Sequence, residues 1–253
     1  MVKTLLIFVP GILTFPGDSR NWSGRAVTFT HTRSYARAEK VEYFCGPIGR
    51  AFGQNNRCHK LYRTLDQYCS PYVQGRDGGS PPGPPSPRGE GWGEGKPVSP
   101  SQQWHITLVG HSNGAAVIIG ALSQFPCPRI DSLHLVCGAC ESSFHKNRLN
   151  YLLTRNAVKE VSVYVAKKDL ALRLAHTWAG RLLGYGVLGL HGARHVLPSV
   201  KRRVREIDWP EYGHSDCWHD NNLAETLSNF MPPSSRSVLE CGREERAAAF
   251  PST

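Results

Sequence analysis

What the sequence lacks narrows it first. No apolar run approaches the ~18 consecutive residues that a membrane-spanning helix needs. Eight cysteines are scattered from Cys45 to Cys241, which is no disulfide scaffold in a chain of 253 residues. Cys137 and Cys140 form the sole C-x-x-C, and no second pair stands at zinc spacing. No metal and no organic cofactor is expected; two small thiols buried at a strand end are the simpler reading. The arginines are accompanied by no zinc-finger spacing and no interleaved aromatic platform. A nucleic-acid partner is therefore not expected, despite a formal net charge of +10. The tightest basic cluster, Lys201, Arg202, Arg203 and Arg205, runs into Ile207 and reads as the solvated start of a strand.

The opening residues have a charge followed by an apolar run, as a signal peptide would. They lack a small-residue cleavage site, and Pro10-Gly11 interrupts the run early. Read as a first buried strand, they leave an uncleaved chain that is expected in the cytoplasm, where free thiols are ordinary.

What is present fits one domain, since single cores stop growing near ~250–300 residues. Hydrophobic residues make up 40% and charged residues 20%, which excludes disordered, collagen-like and coiled-coil chains. The apolar share is slightly below the usual ~45–50%, so part of the chain is expected to stay unpacked. Residues 75–103 are the first such part, with Pro81-Pro82-Gly83-Pro84-Pro85 and Gly89-Glu90-Gly91 in a background of Gly, Pro, Ser and charge. So little apolar surface does not offset the entropy of ordering. A surface-loop insertion of this kind costs little, because closure entropy grows slowly with length. Residues 231–253 are the second, a polar C-terminal tail. The domain itself is expected over residues 1–230.

Between these stretches the chain alternates. Strands are expected near 4–9, 40–45, 104–109, 132–137, 161–166 and 203–209. Helices are expected near 21–29, 57–68, 115–124, 146–158, 170–183 and 217–230. Leu5-Leu6-Ile7-Phe8-Val9 is a continuous apolar run, the mark of a strand buried on both faces. The pattern predicts an α/β domain with a doubly wound, mostly parallel sheet of about six strands flanked by helices. Ligands then belong at the carboxyl ends of the strands.

One such end carries chemistry. Strand residues 104–109 run into Gly110-His111-Ser112-Asn113-Gly114, and the small-residue helix Ala115-Ala116-Val117-Ile118-Ile119-Gly120-Ala121-Leu122 follows. This is Gly-x-Ser-x-Gly between a strand and a helix. Three fixed positions recur by chance in roughly one such chain in ten. The setting therefore carries more weight than the motif. A serine on so sharp a turn has strained backbone geometry and needs small neighbours at Gly110 and Gly114. Its hydroxyl would stand above the sheet at a helix N-terminus that favours negative charge.

A serine nucleophile needs a base, and the base an orienting carboxylate. Asp169 follows the strand at 161–166, and His214 follows the strand at 203–209, in the order Ser, Asp, His. His219 rivals His214, while Asp208 and Asp216 rival Asp169.

With these pieces in place, the chain resembles the α/β-hydrolase fold superfamily, of the serine esterase or lipase type. The resemblance runs from Leu5 to about Phe230, outside the low-complexity loop. It implies Ser112 as nucleophile, His214 as general base and then acid, and Asp169 as its orienter. It also implies an oxyanion hole from the backbone N–H of Asn113 and, in the turn Pro10-Gly11-Ile12, that of Ile12. Pro10 stands where the family often has a histidine before the glycine. The spacing from Ser112 to Asp169 to His214 is filled by expected helices and strands, so no large cap domain fits. Residues 183–197 are glycine-rich and apolar, and read either as a lid or pocket lining or as a loop packed on the core.

Two rivals remain open at this level. Gly17-Asp18-Ser19 with Asp216-Cys217-Trp218-His219 resembles the termini of an SGNH-type esterase using Ser19 and His219, though no Gly-x-Asn-Asp block accompanies them. Asp18 and Ser19 also suit a helix cap before Trp22. A non-catalytic binding protein on the same fold is the other rival. The expected activity is hydrolysis of a small-molecule carboxylic ester through an acyl-enzyme.

Overall fold

The structure is a computed structural model of the chain that describes residues 3–11, 22–31, 36–41, 43, 54–69, 104–124, 129–177 and 185–230. The loop at 75–103, the tail at 231–253, Ile12, Asp18 and Ser19 lie outside the described residues.

Six strands form one sheet: β1 Lys3–Val9, β2 Ala36–Lys40, β3 Trp104–His111, β4 Ile130–Val136, β5 Val158–Val165 and β6 Val204–Asp208. Their order is β2-β1-β3-β4-β5-β6, and every neighbouring pair is parallel. The helices are α1 Trp22–His31, α2 Gln54–Cys69, α3 Asn113–Gln124, α4 Leu149–Thr154, α5 Leu170–Ala175, α6 Leu188–His191 and α7 Asp220–Ser228. Short 3-10 turns at Pro198–Arg203 and Asp216–Trp218 complete the described elements.

Strand alternation divides the core in two. Leu5, Ile7 and Val9 of β1 join Leu61, Leu65, Ile118 and Leu153 on the face covered by α2, α3 and α4. Leu6 and Phe8 join Trp22, Ala26, Leu223, Leu227 and Phe230 on the face covered by α1 and α7. From Leu5 to Val9 both faces of β1 are thus fully buried, which is why that run has no polar alternation. This is a doubly wound α/β domain. No described helix is long and apolar enough to cross a membrane.

Three local expectations need correction. The second strand is Ala36–Lys40, not 40–45. Among the described residues it is an edge that pairs with β1 alone, so Arg37, Glu39 and Lys40 do not need to be apolar. The apolar residues after it still serve the core: the Val41 N–H donates to the Phe8 carbonyl at 2.9 Å, and the Tyr43 hydroxyl donates to that of Pro10.

The helix expected over 146–158 is only Leu149–Thr154. Asn156 takes a left-handed φ of 57°, and the N–H groups of Asn156 and Ala157 return to the carbonyls of Leu153 and Leu152. That closure ends the helix in the Schellman manner, with asparagine where glycine is commoner. β5 then begins at Val158, three residues earlier than the apolar run suggested.

Arg203 is half-buried rather than fully solvated. Its guanidinium donates to the carbonyls of Lys159 at 2.6 Å, Leu153 at 2.8 Å and Val158, clasping the α4–β5 turn. Lys201 and Arg202 are exposed, as expected.

The sheet order reverses between β1 and β3. The chain leaves β1 to one side for β2 and returns on the other side for β3. The carboxyl ends of β1 and β3 meet there, the crevice where open α/β sheets bind ligands.

Candidate active site

Ser112 sits between the end of β3 and the start of α3, with φ at 55°. This left-handed conformation costs a non-glycine residue ~1–2 kcal/mol and persists because its surroundings fix it. The Ser112 N–H donates to the Val136 carbonyl at 3.0 Å, and its carbonyl accepts from the N–H groups of Ala115 at 3.2 Å and Ala139 at 3.0 Å. The elbow is thus tied both to α3 and to the end of β4.

The glycines of the motif are dictated by space. A Cβ on Gly114 would lie 2.0 Å from the Val9 carbonyl oxygen, and one on Gly110 would lie 2.7 Å from the Ile118 Cδ1. Gly11, in the turn after β1, belongs to the same construction: its Cβ would lie 2.7 Å from the Ser112 Cβ and 3.2 Å from its Oγ. The β1 turn therefore lies directly against the serine. Asn113 is the buried first residue of α3. Its backbone lies at the helix N-terminus, where the dipole favours negative charge.

Asp169 follows β5 and caps α5, accepting from the Leu172 N–H at Oδ1 over 2.8 Å. It is 0% exposed. Its other oxygen, Oδ2, accepts from the Nδ1–H of His214 at 2.7 Å. A carboxylate only accepts, so a proton is on Nδ1, and in the neutral ring Nε2 then keeps its lone pair. His214 stands in the loop after β6, between strand ends as the sheet rule requires.

The structure brings the sequence candidates Ser112, Asn113, Asp169 and His214 to one end of the sheet, while their rivals make other pairings. His219 is 69% exposed at the side chain and lies 3.8 Å from Asp216. Asp208 pairs with Lys167 at the surface, and Asp216 accepts from the Gly213 N–H at 2.7 Å.

Two residues matter here in ways the sequence did not disclose. His111 is buried, and its Nε2–H donates to the His214 backbone carbonyl at 2.8 Å. Burial, with His214 beside it, lowers its pKa to about 3, so the ring is neutral. Cys137 directly follows β4 with φ at 47° and faces the Asp169 carboxylate. Burial above all, then Cys217 and Asp169, hold its thiol well above the usual range. Its place at the carboxyl end of a buried strand was the available signal.

His111, Cys137 and His214 bring nitrogen and sulfur atoms within 4.8 Å of one another, a metal-capable grouping. Each imidazole has one nitrogen committed to a hydrogen bond. A metal ligand would also have to be the thiolate, and this environment favours the thiol. The grouping is better suited to a hydrogen-bonded network.

The described part of the 183–197 stretch, which includes α6, is tied by its backbone to the residues after β4. Gly186, Leu188 and Gly189 donate from their backbones to the carbonyls of Ala139, Cys140 and Gly138, at 3.2, 3.0 and 2.9 Å. Leu188 is fully buried.

No family model and no curated protein matches the chain. Among solved structures it is similar to a lipase-esterase related protein from Clostridium acetobutylicum, at 14% identity and a TM-score of 0.44, covering 90% of this chain and 94% of that one. It is also similar to a Pyrococcus furiosus esterase, at 11% identity and a TM-score of 0.43, covering 91% and 84%. An esterase domain from a Rhodothermus marinus protein gives 12% identity and a TM-score of 0.40, covering 93% and 86%. The chain's own topology, six parallel strands wound on both faces with a serine on the strand–helix turn beside the switch point, is that of an α/β-hydrolase-like fold.

Proposed function

We propose that the chain is a serine hydrolase of the carboxylesterase or lipase class, acting on small-molecule carboxylic esters. The observation that carries this reading is the 2.7 Å His214–Asp169 pair, at the sheet end that also carries a serine in left-handed geometry at the elbow. In the proposed reaction the Ser112 Oγ attacks the ester carbonyl and His214 Nε2 takes its proton. Asp169 holds the Nδ1–H tautomer and stabilises the imidazolium that forms. The developing oxyanion is met by the backbone N–H of Asn113 and, in this reading, that of Ile12. Each such donor contributes ~3–4 kcal/mol where it has been removed by mutation. The alkoxide leaves with the proton from His214, and water activated by the same imidazole then releases the acid.

The test is labelling of the purified protein with a fluorophosphonate probe, in parallel with Ser112→Ala and Ser19→Ala. The expected result is labelling of the wild type and of Ser19→Ala, and none of Ser112→Ala. Loss in Ser19→Ala alone would transfer the chemistry to the SGNH-type reading. A folded wild type that does not label would leave the binding-protein reading.

A further inference from the structure

The proposed mechanism uses the imidazole of His214 but does not account for what holds its backbone. Residues 213–215 belong to no helix or strand. Within the loop, the Gly213 N–H donates to Asp216 Oδ2, and the Ser215 carbonyl accepts from the Trp218 N–H at 3.0 Å. Among the described residues, two hydrogen bonds leave this segment for another element. One is His214 Nδ1 to Asp169; the other arrives at the His214 carbonyl from His111 Nε2.

His111 is suited to be an anchor. Its ring meets the indoles of Trp22 and Trp218 edge-on, at 5.6 Å and 79° and at 5.7 Å and 86°. Those two indoles stack on each other at 3.8 Å and 17°. A ring packed this way has little freedom to swing. A carbonyl can only accept, so the proton is on Nε2, and a neutral buried ring supplies that donor at ordinary pH. His111 also directly precedes Ser112 in the chain. A bond from its side chain to His214 therefore gauges the base against the nucleophile, with one residue of backbone between them.

We propose that His111 is a positioning residue, whose Nε2–H bond to the His214 carbonyl sets the base loop at the distance from Ser112 that proton transfer requires. Asp169 fixes the rotation and tautomer of the imidazole; His111 fixes the height of the backbone that carries it. This rests on the hydrolase reading, and substrate binding does not involve the tether. Its loss should therefore appear in kcat and leave KM in place.

The experiment compares His111→Leu, His111→Asn and His111→Gln in the full chain. The glutamine amide nitrogen reaches about as far as imidazole Nε2, whereas the asparagine amide reaches only the Nδ1 position. Leu and Asn are expected to lower kcat and the fluorophosphonate labelling rate by about ten- to a hundredfold, with KM within about twofold, since a misplacement near 1 Å carries penalties of that order. Gln is expected to recover to within about threefold of the wild type. Asn also covers the case in which Leu fails to fold. A folded Leu or Asn variant with wild-type kcat overturns the proposal. So does a Gln variant as slow as Asn when both melt near the wild type.

A second readout separates this proposal from the hydrolase reading. In protein labelled with 15N-histidine, the Nδ1–H of His214 bonded to Asp169 should give a downfield proton resonance. It should persist in Gln and broaden or vanish in Asn. A wild type that never labels with fluorophosphonate refutes the hydrolase reading, and the resonance still decides the tether: equal signals in Gln and Asn would sink it.

Discussion

The two halves of the site are held by different means. On the side of β1 and β3, Ser112 has its backbone hydrogen bonds and, in addition, is held by shape: Gly11, Gly110 and Gly114 stand where any Cβ would meet neighbouring atoms at 2.0–2.7 Å. On the side of β5 and β6, His214 is held by hydrogen bonds, one to its ring and one to its carbonyl. Steric fits and hydrogen bonds fail differently. A packed turn that cannot accommodate an atom must move backbone, and the cost falls on stability. A lost hydrogen bond leaves the fold standing and lets a side chain drift, and the cost falls on rate.

The sharpest break of this contrast is Asp169→Asn. The amide would offer N–H to His214 Nδ1 and favour the wrong tautomer, and kcat should fall on the order of 10⁴-fold, equivalent to about 5.5 kcal/mol. Asparagine caps helices about as well as aspartate, so the bond from the Leu172 N–H survives. The melting temperature should therefore change little. Thermal melts and steady-state kinetics on one preparation check both halves. A large loss of stability with the rate retained would reverse the assignment.

Gly114→Ala should fail in the opposite way. The new methyl would lie 2.0 Å from the Val9 carbonyl oxygen, and a backbone atom between two core strands has little room to yield. The expected loss is about 3 kcal/mol or more of folding stability, read as the shift of a urea midpoint. The protein that remains folded should keep its His214–Asp169 resonance. An alanine variant as stable as the wild type would show that the elbow is less tightly packed than its geometry implies.

The same contrast explains what the sequence made legible. Ser112 and its glycines could be read because steric demands leave local residue types in a fixed pattern. Asp169 and His214 could be read because strand ends follow one another in a fixed order. β1 was plain from its unbroken apolar run, whereas β2 escaped because an edge strand needs no such run. The end of α4 was hidden by Asn156, whose turn replaces the glycine that would have marked it. His111 escaped for a different reason. Its partner is a backbone carbonyl 103 residues away, and a backbone carbonyl leaves no trace in residue identity. Arg203 looked like surface charge because its three acceptors are also backbone.

His111 joins the two halves, since it belongs to the elbow and donates to the His214 carbonyl, and its titration offers the gentlest test. Burial chiefly, with His214 beside it, takes its pKa from the ordinary 6.5 to about 3 in the fold. Between these values the unfolded chain binds a proton that the folded chain does not, so stability rises with pH. The contribution is fully present above about 6.5 and is lost as pH falls toward about 3, at up to ~1.4 kcal/mol per pH unit. His111→Gln removes this titration while keeping a donor for the His214 carbonyl. Urea unfolding of the two proteins at pH 7 and pH 5.5 should then show the variant losing about 1 kcal/mol less than the wild type. Parallel pH profiles would mean that the ring accepts its proton without strain and that burial does not keep it neutral. A flatter profile in Gln would establish that the donor on which the base loop depends is maintained by the packing of Trp22 and Trp218 around it.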